Sequence, residues 1–419
     1  MHSLQIQFNQ AWESFERIVD SQRPLLVAVS GGVDSVVLLH LLIQKTGPEA
    51  LSVVHFDHQV RPNSRKDALW VKELAFSLGI KKVFLGKRKG AGVSEEALRE
   101  ERYRFFKSTQ KSIHAQAIVL AHHAEDQLET LLMRLIRGTR FTGLGSMRKI
   151  QSSLWRPLLE ISKTEIIAFA KDLKLSFLED ETNQSPKYFR NRIRAELVPP
   201  LMSLSQNYGG KEKFLKRLSF LLQEIQTLED ETSIEAQKWL SSQVEKTRCW
   251  WSFSKEAWDS IGLTLQRAVA ESLWNGLVQD TLETKEIQQL QRIISKKSRT
   301  VLSGEVEVLS SFGKVYLISS IQRNQQEKIK KSGPWIFIQG ASNRTLKNKF
   351  KIQNYELRFL KEGDTFQGKK MKRLIWKEKI PLVHRALMPV LAKKNSSELL
   401  WYFPKKFDQA ERIAAPWES

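Results

Sequence analysis

Short apolar runs alternate with segments of helical periodicity over residues 1–140. Four apolar runs predict β-strands, at 25–30, 51–57, 82–86 and 117–122. Helical spacing of apolar positions follows each run, at 34–44, 64–78, 94–109 and 124–137. This order predicts an α/β fold in which a parallel sheet is covered by helices on both faces. Because ligands of such folds bind beyond the carboxyl ends of the strands, we expect the chemistry there.

The pattern changes after residue 205. Helical periodicity dominates 206–300, short strand-like runs occupy 300–320, and a polar stretch follows at 323–333. Aromatic and apolar runs at 335–338, 355–360 and 399–403 indicate a further folded module. We therefore predict three domains: a parallel-sheet domain (1–205), a mainly helical, substrate-binding middle domain (206–327) and a small basic mixed α/β domain (328–419).

Positive charge is concentrated in this last module. The 419 residues include 67 Lys and Arg against 46 Asp and Glu, a formal net charge of +21. Residues 201–327 carry 16 charges of each sign, whereas 328–419 carry 21 basic and 8 acidic side chains. Because polyanions bind such surfaces through phosphate contacts, we predict a nucleic-acid partner, with an ordinary solvated surface as the alternative. Trp250-Trp251 and Trp401-Tyr402 are candidate base-stacking platforms.

Cysteine content and hydropathy exclude several classes of protein. The single cysteine, Cys249, excludes an internal disulfide, a CxxC pair and a cysteine-ligated metal site. Apolar stretches fall short of the roughly 18 residues that span a bilayer, and the N-terminus lacks a signal pattern. We therefore expect a cytoplasmic protein with no membrane partner. The sequence leaves the oligomeric state open, with a homodimer as one alternative.

A glycine-containing motif lies where the first predicted strand meets the first helix. It reads SGGVDS and comprises Ser30, Gly31, Gly32, Val33, Asp34 and Ser35. Two glycines allow unusual φ angles and close approach, and a helix N-terminus attracts anions, so the motif predicts a phosphate site. Asp34 would repel phosphate unless a divalent cation lay between them. No GxxxxGK[ST] motif follows the strand, which disfavours a kinase or GTPase; an ordinary turn with an Asp cap is the alternative.

Two groups of charged residues are expected to carry further chemistry. Asp126 and Glu129 are three apart in the predicted helix 124–137, so their carboxylates share a face and suit binding and deprotonation of an amine. An acidic helix N-terminus stabilised by its dipole is the alternative. Further along, a basic group either caps a helix or contacts RNA: Arg190, Asn191, Arg192 and Arg194.

Four histidines follow predicted strands: His55, His58, His122 and His123. Along an extended backbone, side chains that are adjacent or three apart point to opposite faces. We therefore expect no shared metal site. Capping, packing and nucleotide contacts all remain open as their roles.

Several motifs together are similar to one enzyme family. They are SGGVDS (30–35), HFDHQVRPNS (55–64), SEEALREERYRFF (94–106), AHHAEDQLETLLMRLIRG (121–138), GLGSMR (143–148), RPLL (156–159) and EDETNQSPKYFRNRIR (179–194). SGGVDS alone resembles the PP-loop of the N-type ATP pyrophosphatases. The combination resembles the tRNA(Ile)-lysidine synthase family, as does the segment 358–391. The pattern departs from the family at Gln59-Val60, where Gly-Leu is common.

The resemblance implies a reaction and roles for particular residues. It implies a ligase that cleaves ATP to AMP and diphosphate and joins free L-lysine to C2 of the first anticodon cytidine of tRNA(Ile) with a CAU anticodon. By the same resemblance, residues 30–35 bind ATP, Asp34 holds Mg²⁺, Arg102 acts at the reacting phosphate, and Asp126 and Glu129 bind lysine. Two alternatives stay open: another PP-loop tRNA-modifying enzyme, such as a thiolase, and a catalytically idle RNA-binding protein.

Overall fold

The structure is a computed structural model of the chain. It describes residues 2–20, 22–59, 64–88, 95–139, 141–178, 188–247, 250–278, 284–295, 300–302, 306–319, 322, 324, 337–338, 355–377, 388–393, 395–402 and 413–414. The chain divides into two compact units, Met1–Glu229 and Asp230–Ser419. These two units do not decide the three-domain division, which stays a prediction.

The first unit contains a six-stranded sheet and its covering helices. In chain order the elements are α1 (Ser3–Glu16), β1 (Leu25–Ala28), α2 (Val33–Thr46), β2 (Leu51–Asp57), α3 (Ser64–Ser77), β3 (Val83–Lys87), α4 (Glu95–Ser112), β4 (Ala117–Val119), α5 (Ala124–Arg137), α6 (Phe141–Leu144), β5 (Ile150–Gln151), β6 (Leu154–Trp155), α7 (Lys163–Asp172), α8 (Phe189–Arg192) and α9 (Val198–Ser205). The long helix α10 (Gly210–Gln243) begins in this unit.

The sheet confirms the predicted parallel α/β fold. Its strand order is β3-β2-β1-β4-β6-β5. Strands β1, β2, β3, β4 and β6 pair in parallel, and β5 pairs antiparallel with β6. Every residue of β2 is buried, as expected for a strand covered on both faces. The connections run in opposite directions from β1 and β4, so the loops beyond these neighbouring strands bound a crevice suited to a ligand.

Helix α1 completes the core of this unit, and the alternating strand–helix pattern did not predict it. Its buried residues are Leu4, Phe8, Trp12 and Phe15, which recur at helical spacing. Trp12 and Phe15 both contact the ring of Trp155 at the end of β6. The periodic signal was therefore present, before the first predicted strand.

The second unit contains two five-stranded sheets. Its elements are β7 (Glu245–Lys246), β8 (Trp251–Ser254), α11 (Lys255–Asp259), α12 (Leu263–Val278), α13 (Thr284–Ser295), β9 (Thr300–Leu302), β10 (Val306–Ser311), β11 (Lys314–Ser319), β12 (Phe337–Ile338), β13 (Tyr355–Phe359), β14 (Thr365–Phe366), β15 (Lys369–Lys370), α14 (Met371–Lys377), β16 (Pro389–Lys393), β17 (Glu398–Tyr402) and β18 (Ile413–Ala414). The larger sheets have the orders β7-β8-β11-β10-β9 and β13-β16-β17-β14-β15, and β12 pairs with β18. Among the helices that the structure describes, none is long and apolar enough to cross a membrane.

Part of this unit contains more strand than its helical periodicity predicted. Strand β8 lies inside its sheet, between β7 and β11, and buries Ser252 and Phe253. Trp250 is buried against Tyr316, so its predicted role as a base-stacking platform is wrong. Trp251 is half-buried, with the ammonium of Lys246 4.4 Å from its ring centre. The side chains of Trp401 and Tyr402 lie outside the described part of the chain.

Candidate active site

A cavity of about 700 Å³ opens beyond the carboxyl ends of β1, β2 and β4. This is the edge of the sheet at which the sequence predicted the chemistry. Eight of the predicted site residues line it: Ser30, Gly32, Asp34, Ser35, Arg102, Asp126, Glu129 and Arg194. Gly31 and Val33 belong to the same loop, and Arg190 contacts two of the lining carboxylates. Asn191 does not line the cavity.

Gly31 sets the shape of the loop 30–35, which is predicted to bind phosphate and is called the phosphate loop below. Its φ of 94° lies in the left-handed region, and a Cβ there would lie 2.8 Å from Cδ1 of Leu178. Gly32 has a φ of −71°, so the predicted unusual φ angle is wrong for this second glycine, which precedes α2 as its N-cap. Ser35 Oγ accepts from the Ser30 amide at 3.1 Å and donates to the Gly32 carbonyl at 2.9 Å. The loop is thus preformed beside a helix N-terminus, which attracts anions.

Asp34 lies in the first turn of α2 and pairs with a lysine. Nζ of Lys163 donates to Oδ1 of Asp34 at 2.5 Å, and both side chains are half-buried. Among the described residues, no three His, Cys, Asp or Glu side chains gather to hold a metal ion. One carboxylate still fits Mg²⁺, which takes one or two protein carboxylates and completes its shell with phosphates and water.

Three buried carboxylates, which we call the acidic wall, lie at the start of α5: Glu125, Asp126 and Glu129. Asp126 closes the first turn of its own helix, because its Oδ2 accepts from the His123 amide at 3.0 Å. Glu125 Oε2 accepts from the Lys163 amide at 2.9 Å. The acidic wall is therefore bonded to the start of α7 at Lys163, the residue whose side chain pairs with Asp34.

Two arginines form hydrogen bonds to the carboxylates that the sequence predicted to bind an amine. Arg190 donates through Nε to Glu129 at 2.7 Å and through its second terminal nitrogen to Asp126 at 2.8 Å. Arg194 donates twice to Glu129, at 2.6 and 3.0 Å. The planar fork of a guanidinium suits such paired bonds. Residues predicted separately for an amine and for RNA thus form one cluster.

The charged groups of this cluster stabilise one another in their charged forms. Burial alone would raise the pKa of Asp126, but His123 and Arg190 outweigh it and hold that pKa below its usual range. Burial alone would lower the pKa of His123, but Asp126 and hydrogen-bonded Glu125 outweigh it and raise that pKa. Glu125 has a lowered pKa because its bonds to His123 and Lys211 outweigh the opposite effect of burial. Both of these carboxylates are therefore ionised at neutral pH and attract a cation.

A π-helical turn carries Arg194, and Arg190 lies in α8 just before this turn. The turn spans Ile193–Leu197, between α8 and α9. Pro199 and Pro200 lack an N–H, so the regular helical bonds from these residues cannot form. Just before these prolines, the Val198 amide donates to the Ile193 carbonyl, five residues back. Such turns are frequent at functional sites, and the paired prolines are the sequence signal for this one.

Helix α4 supplies positive charge to the cavity. Arg102 lines it, and the guanidinium groups of Arg99 and Arg102 lie 4.9 and 5.5 Å from the ring centre of Tyr103. Burial and then the charge of Arg102 lower the pKa of His58 to about 4, so this histidine is neutral at pH 7. An arginine-bearing wall with a neutral imidazole suits an anionic group such as a phosphate.

All four predicted histidines line the cavity: His55, His58, His122 and His123. The expectation of opposite faces is wrong for His55 and His58, because β2 ends at Asp57 and the chain turns there. In this turn Gln59 has a φ of 52°, and its amide donates to Asp57 Oδ1 at 2.7 Å. At position 59 the family commonly has glycine, and this chain has Gln59 in the left-handed conformation that glycine adopts most easily.

Glycine at position 59 should relieve this backbone conformation. Left-handed φ costs a residue with a Cβ roughly 1 kcal/mol or more, partly offset by the greater freedom of glycine in the unfolded chain. We expect Gln59→Gly to raise the free energy of unfolding by up to about 1 kcal/mol. Chemical denaturation would measure it, with Gln59→Ala as the control that removes the exposed side chain but keeps the Cβ. A larger gain from alanine than from glycine would contradict this account.

Four charged residues of the site were missed by the sequence analysis. Glu125, Lys163 and Lys211 line the cavity, and Arg156 bonds His122. Lys211 Nζ lies 2.7 Å from Glu125 Oε1. These residues come from separate segments, so no local spacing links them. The sequence signal for Arg156 was its charge at the start of the otherwise apolar RPLL segment (156–159).

The parallel sheet, the glycine loop and the cavity beyond it define a PP-loop, ATP-using protein. A family model described as a PP-loop domain matches residues 1–201, which include all strands of the six-stranded sheet.

Relatives extend this match along the chain. Three proteins named tRNA(Ile)-lysidine synthase are similar to it. The one from Thermotoga maritima is 28% identical over 397 residues and covers 90% of both chains. The one from Streptococcus sanguinis is 31% identical over 397 residues, 88% of this chain and 87% of the relative. The one from Thermosipho africanus is 27% identical over 423 residues, which are 97% of this chain and 94% of the relative. The chain belongs to the tRNA(Ile)-lysidine synthase family, which confirms the resemblance seen in its motifs.

Proposed function

We propose that the chain uses ATP to join free L-lysine to C2 of the cytidine at the first anticodon position of a tRNA(Ile) with a CAU anticodon. The observation that carries this proposal is that one cavity contains both the phosphate loop and the buried acidic wall. ATP cleavage alone requires the loop. The acidic wall adds a site for a cationic amine, which lysine provides.

In the first step the C2 oxygen of cytidine attacks the α-phosphorus of ATP, and diphosphate leaves. The loop 30–35 and the first turn of α2 hold the phosphates through backbone amides and the helix dipole. Asp34 would hold Mg²⁺, which when bound would neutralise charge on the leaving diphosphate. Lys163, 2.5 Å from Asp34, adds a positive charge at the same place. Arg102 neutralises charge on the reacting phosphate.

In the second step the amine of lysine attacks C2, and AMP leaves. Asp126 and Glu129 bind the lysine, and their carboxylates can accept the proton that the attacking amine loses. Arg190 and Arg194 bond the same oxygens, so lysine has to displace part of this bonding. A displaced guanidinium becomes available to an RNA phosphate, which joins the two roles predicted for this cluster.

The two alternatives find less support. Thiolase chemistry generally uses cysteines, and Cys249 is the single one in the chain. A catalytically idle RNA-binding protein has no need for a phosphate loop and an acidic wall in one cavity, and this chain has both.

The function is tested with purified protein, ATP, radiolabelled lysine and RNA. We expect label to enter a tRNA(Ile) transcript with a CAU anticodon, and only when ATP is present. The matched control is the same transcript with its first anticodon base changed from C to U, which should stay unlabelled. Equal labelling of both transcripts, or none of either, would contradict the proposal.

The basic C-terminal part is proposed to bind tRNA. Among its described residues, four basic side chains are exposed on or beside α14, near Trp376, which is 63% exposed: Lys369, Lys370, Arg373 and Lys377. We expect replacement of all four by glutamine in the full chain to weaken tRNA binding. The slope of log K against log salt should flatten by at most about 0.9 for each lost duplex contact. Binding titrations over a range of salt concentrations measure both effects, and ATP binding should be unchanged.

A control set separates docking from general charge. It replaces four exposed lysines of the first unit by glutamine: Lys81, Lys107, Lys111 and Lys171. An equal loss of affinity and slope in this control would argue against a docking role for the C-terminal part. Substitution is preferable to deletion of 328–419, because that deletion cuts through the compact unit Asp230–Ser419.

A further inference from the structure

Arg156 is a buried charge that the proposed chemistry does not use. It follows β6 directly and is 2% exposed. One terminal nitrogen donates to the Arg148 carbonyl at 2.8 Å, and Nε donates to Nδ1 of His122 at 3.2 Å. Burial lowers the pKa of Arg156, and Tyr103, a further polar neighbour, acts against this stronger effect to raise it. A buried guanidinium that is bonded on two sides fixes the orientation of the groups that it contacts.

The bond to His122 determines where the imidazole carries its proton. A guanidinium has donors and no acceptor, so Nδ1 of His122 has to accept. The neutral ring therefore carries its hydrogen on Nε2. His122 is half-buried and lines the cavity, and within the described part of the chain no residue partners its Nε2. An N–H donor is thus presented to the substrate.

We infer that the Nε2–H of His122 donates a hydrogen bond, without transfer of the proton, to the substrate oxygen that leaves C2 with AMP, and that Arg156 is the positioning residue that fixes the required tautomer. This inference rests on the proposed function. In the step concerned, the lysine nitrogen bonds to C2, the C2–O bond breaks, and its electron pair stays on the oxygen of AMP. Negative charge grows on that oxygen, so a donor already aimed at it stabilises the transition state.

His122 has charged neighbours from both the acidic wall and the arginines of the cavity. The charged groups that act on it are Asp126 from α5, Arg190 from α8, Arg156 beyond β6 and Arg99 from α4. The departing oxygen has to lie between C2, attacked from the acidic wall, and the phosphorus beside the arginines. Burial first, and then the positive neighbours, lower the pKa of His122 to about 3 against the opposing effect of Asp126. The ring is thus a neutral donor throughout the working pH range.

The first test separates the two chemical steps. A hydrogen bond to the C2 oxygen does not help that oxygen to attack phosphorus, so adenylation should not require His122. In rapid-quench experiments, His122→Leu should release diphosphate once per active site at nearly the normal rate. Its release of AMP should fall about 100- to 1000-fold, as when an oxyanion donor is removed. His122→Gln, which retains an N–H donor, should recover part of this loss.

Controls keep this test decisive. His114 is exposed and does not line the cavity, so His114→Leu should leave both releases unchanged. A parallel fall of diphosphate and AMP release in His122→Leu, or no fall of either, would overturn the inference. A wild-type protein that transfers no lysine would instead refute the proposed function itself.

The second test observes the tautomer without any activity. In protein labelled with ¹⁵N-histidine, the His122 signals are assigned by their loss in His122→Gln. We expect the Nε2–H signature, unchanged between about pH 5.5 and 8, where an unperturbed histidine titrates. Arg156→Met should release the ring, so that His122 titrates within this interval or shows both tautomers. An Nδ1–H signature in the wild type would overturn the assignment, whether or not Arg156→Met folds.

Discussion

Asp34→Ala should abolish adenylation while tRNA binding persists. Asp34 is the single carboxylate of the phosphate loop, and the proposed Mg²⁺ has no other carboxylate in that loop. Loss of metal stabilisation worth several kcal/mol corresponds to a decrease of about a thousandfold or more in diphosphate release. The substitution leaves the basic surface intact. Diphosphate release from ATP in the presence of tRNA measures the first effect, and a binding titration measures the second.

A control for Asp34→Ala has to remove a carboxylate without touching the cavity. Asp172 fits, because its exposed side chain pairs with His2 at 3.1 Å at the end of α7. Asp172→Ala should release diphosphate at the normal rate. Asp34 is half-buried and its partner Lys163 can reach solvent, so Asp34→Ala should remain folded. A normal rate for Asp34→Ala would refute its metal-holding role.

Glu129→Gln should raise the KM for lysine far more than the KM for ATP. A hydrogen bond to a charged group contributes about 1.5 to 3 kcal/mol, which corresponds to about a ten- to hundredfold change in binding. The double variant with Asp126→Asn should show a larger effect of the same kind. Steady-state kinetics with each substrate varied in turn would measure both constants. Equal changes in the two KM values would indicate a structural or metal-binding role for Glu129 instead.

Arg194→Ala is the matched variant for this experiment. Glu129 is 1% exposed and binds two arginines, so Glu129→Gln also weakens buried ion pairs and needs a parallel measurement of stability. Arg194→Ala removes one of these cations and keeps the carboxylate. If lysine and Arg194 compete for Glu129, Arg194→Ala should lower the KM for lysine, opposite to Glu129→Gln. A rise in both variants would mean that the cluster acts only as structural support.

The fold of the first unit could be predicted well where burial alone decides it. The predicted run 51–57 coincides with β2, and the predicted helix 124–137 coincides with α5. A strand covered on both faces is a continuous apolar run, and an acidic start with a basic end is typical of a helix. Strand β8 was missed because its polar and aromatic residues lie in a region where helical periodicity dominates.

The partners within the site could not be predicted, because charge pairing across a cavity has no period along the chain. Arg190 lies 61 residues beyond Glu129, and Lys163 lies 129 beyond Asp34. The sequence placed the phosphate loop and the acidic pair correctly at the sheet edge, since both follow strands of one parallel sheet. It gave no indication that the arginines assigned to RNA would bond these same carboxylates.

The bonded start of α5 also governs how this part of the protein unfolds with pH. Asp126 and Glu125 have pKa values below their ordinary 3.8 and 4.5, so they stabilise the folded state above those values. That contribution is lost as the pH falls through the lowered pKa values. His123 has the opposite sign, because its pKa is raised above 6.5: it stabilises the folded state below pH 6.5, and this contribution disappears as the pH rises through the raised pKa. Acid therefore destabilises the start of α5 by neutralising Asp126 and Glu125. Alkali destabilises the same place by removing the positive charge of His123.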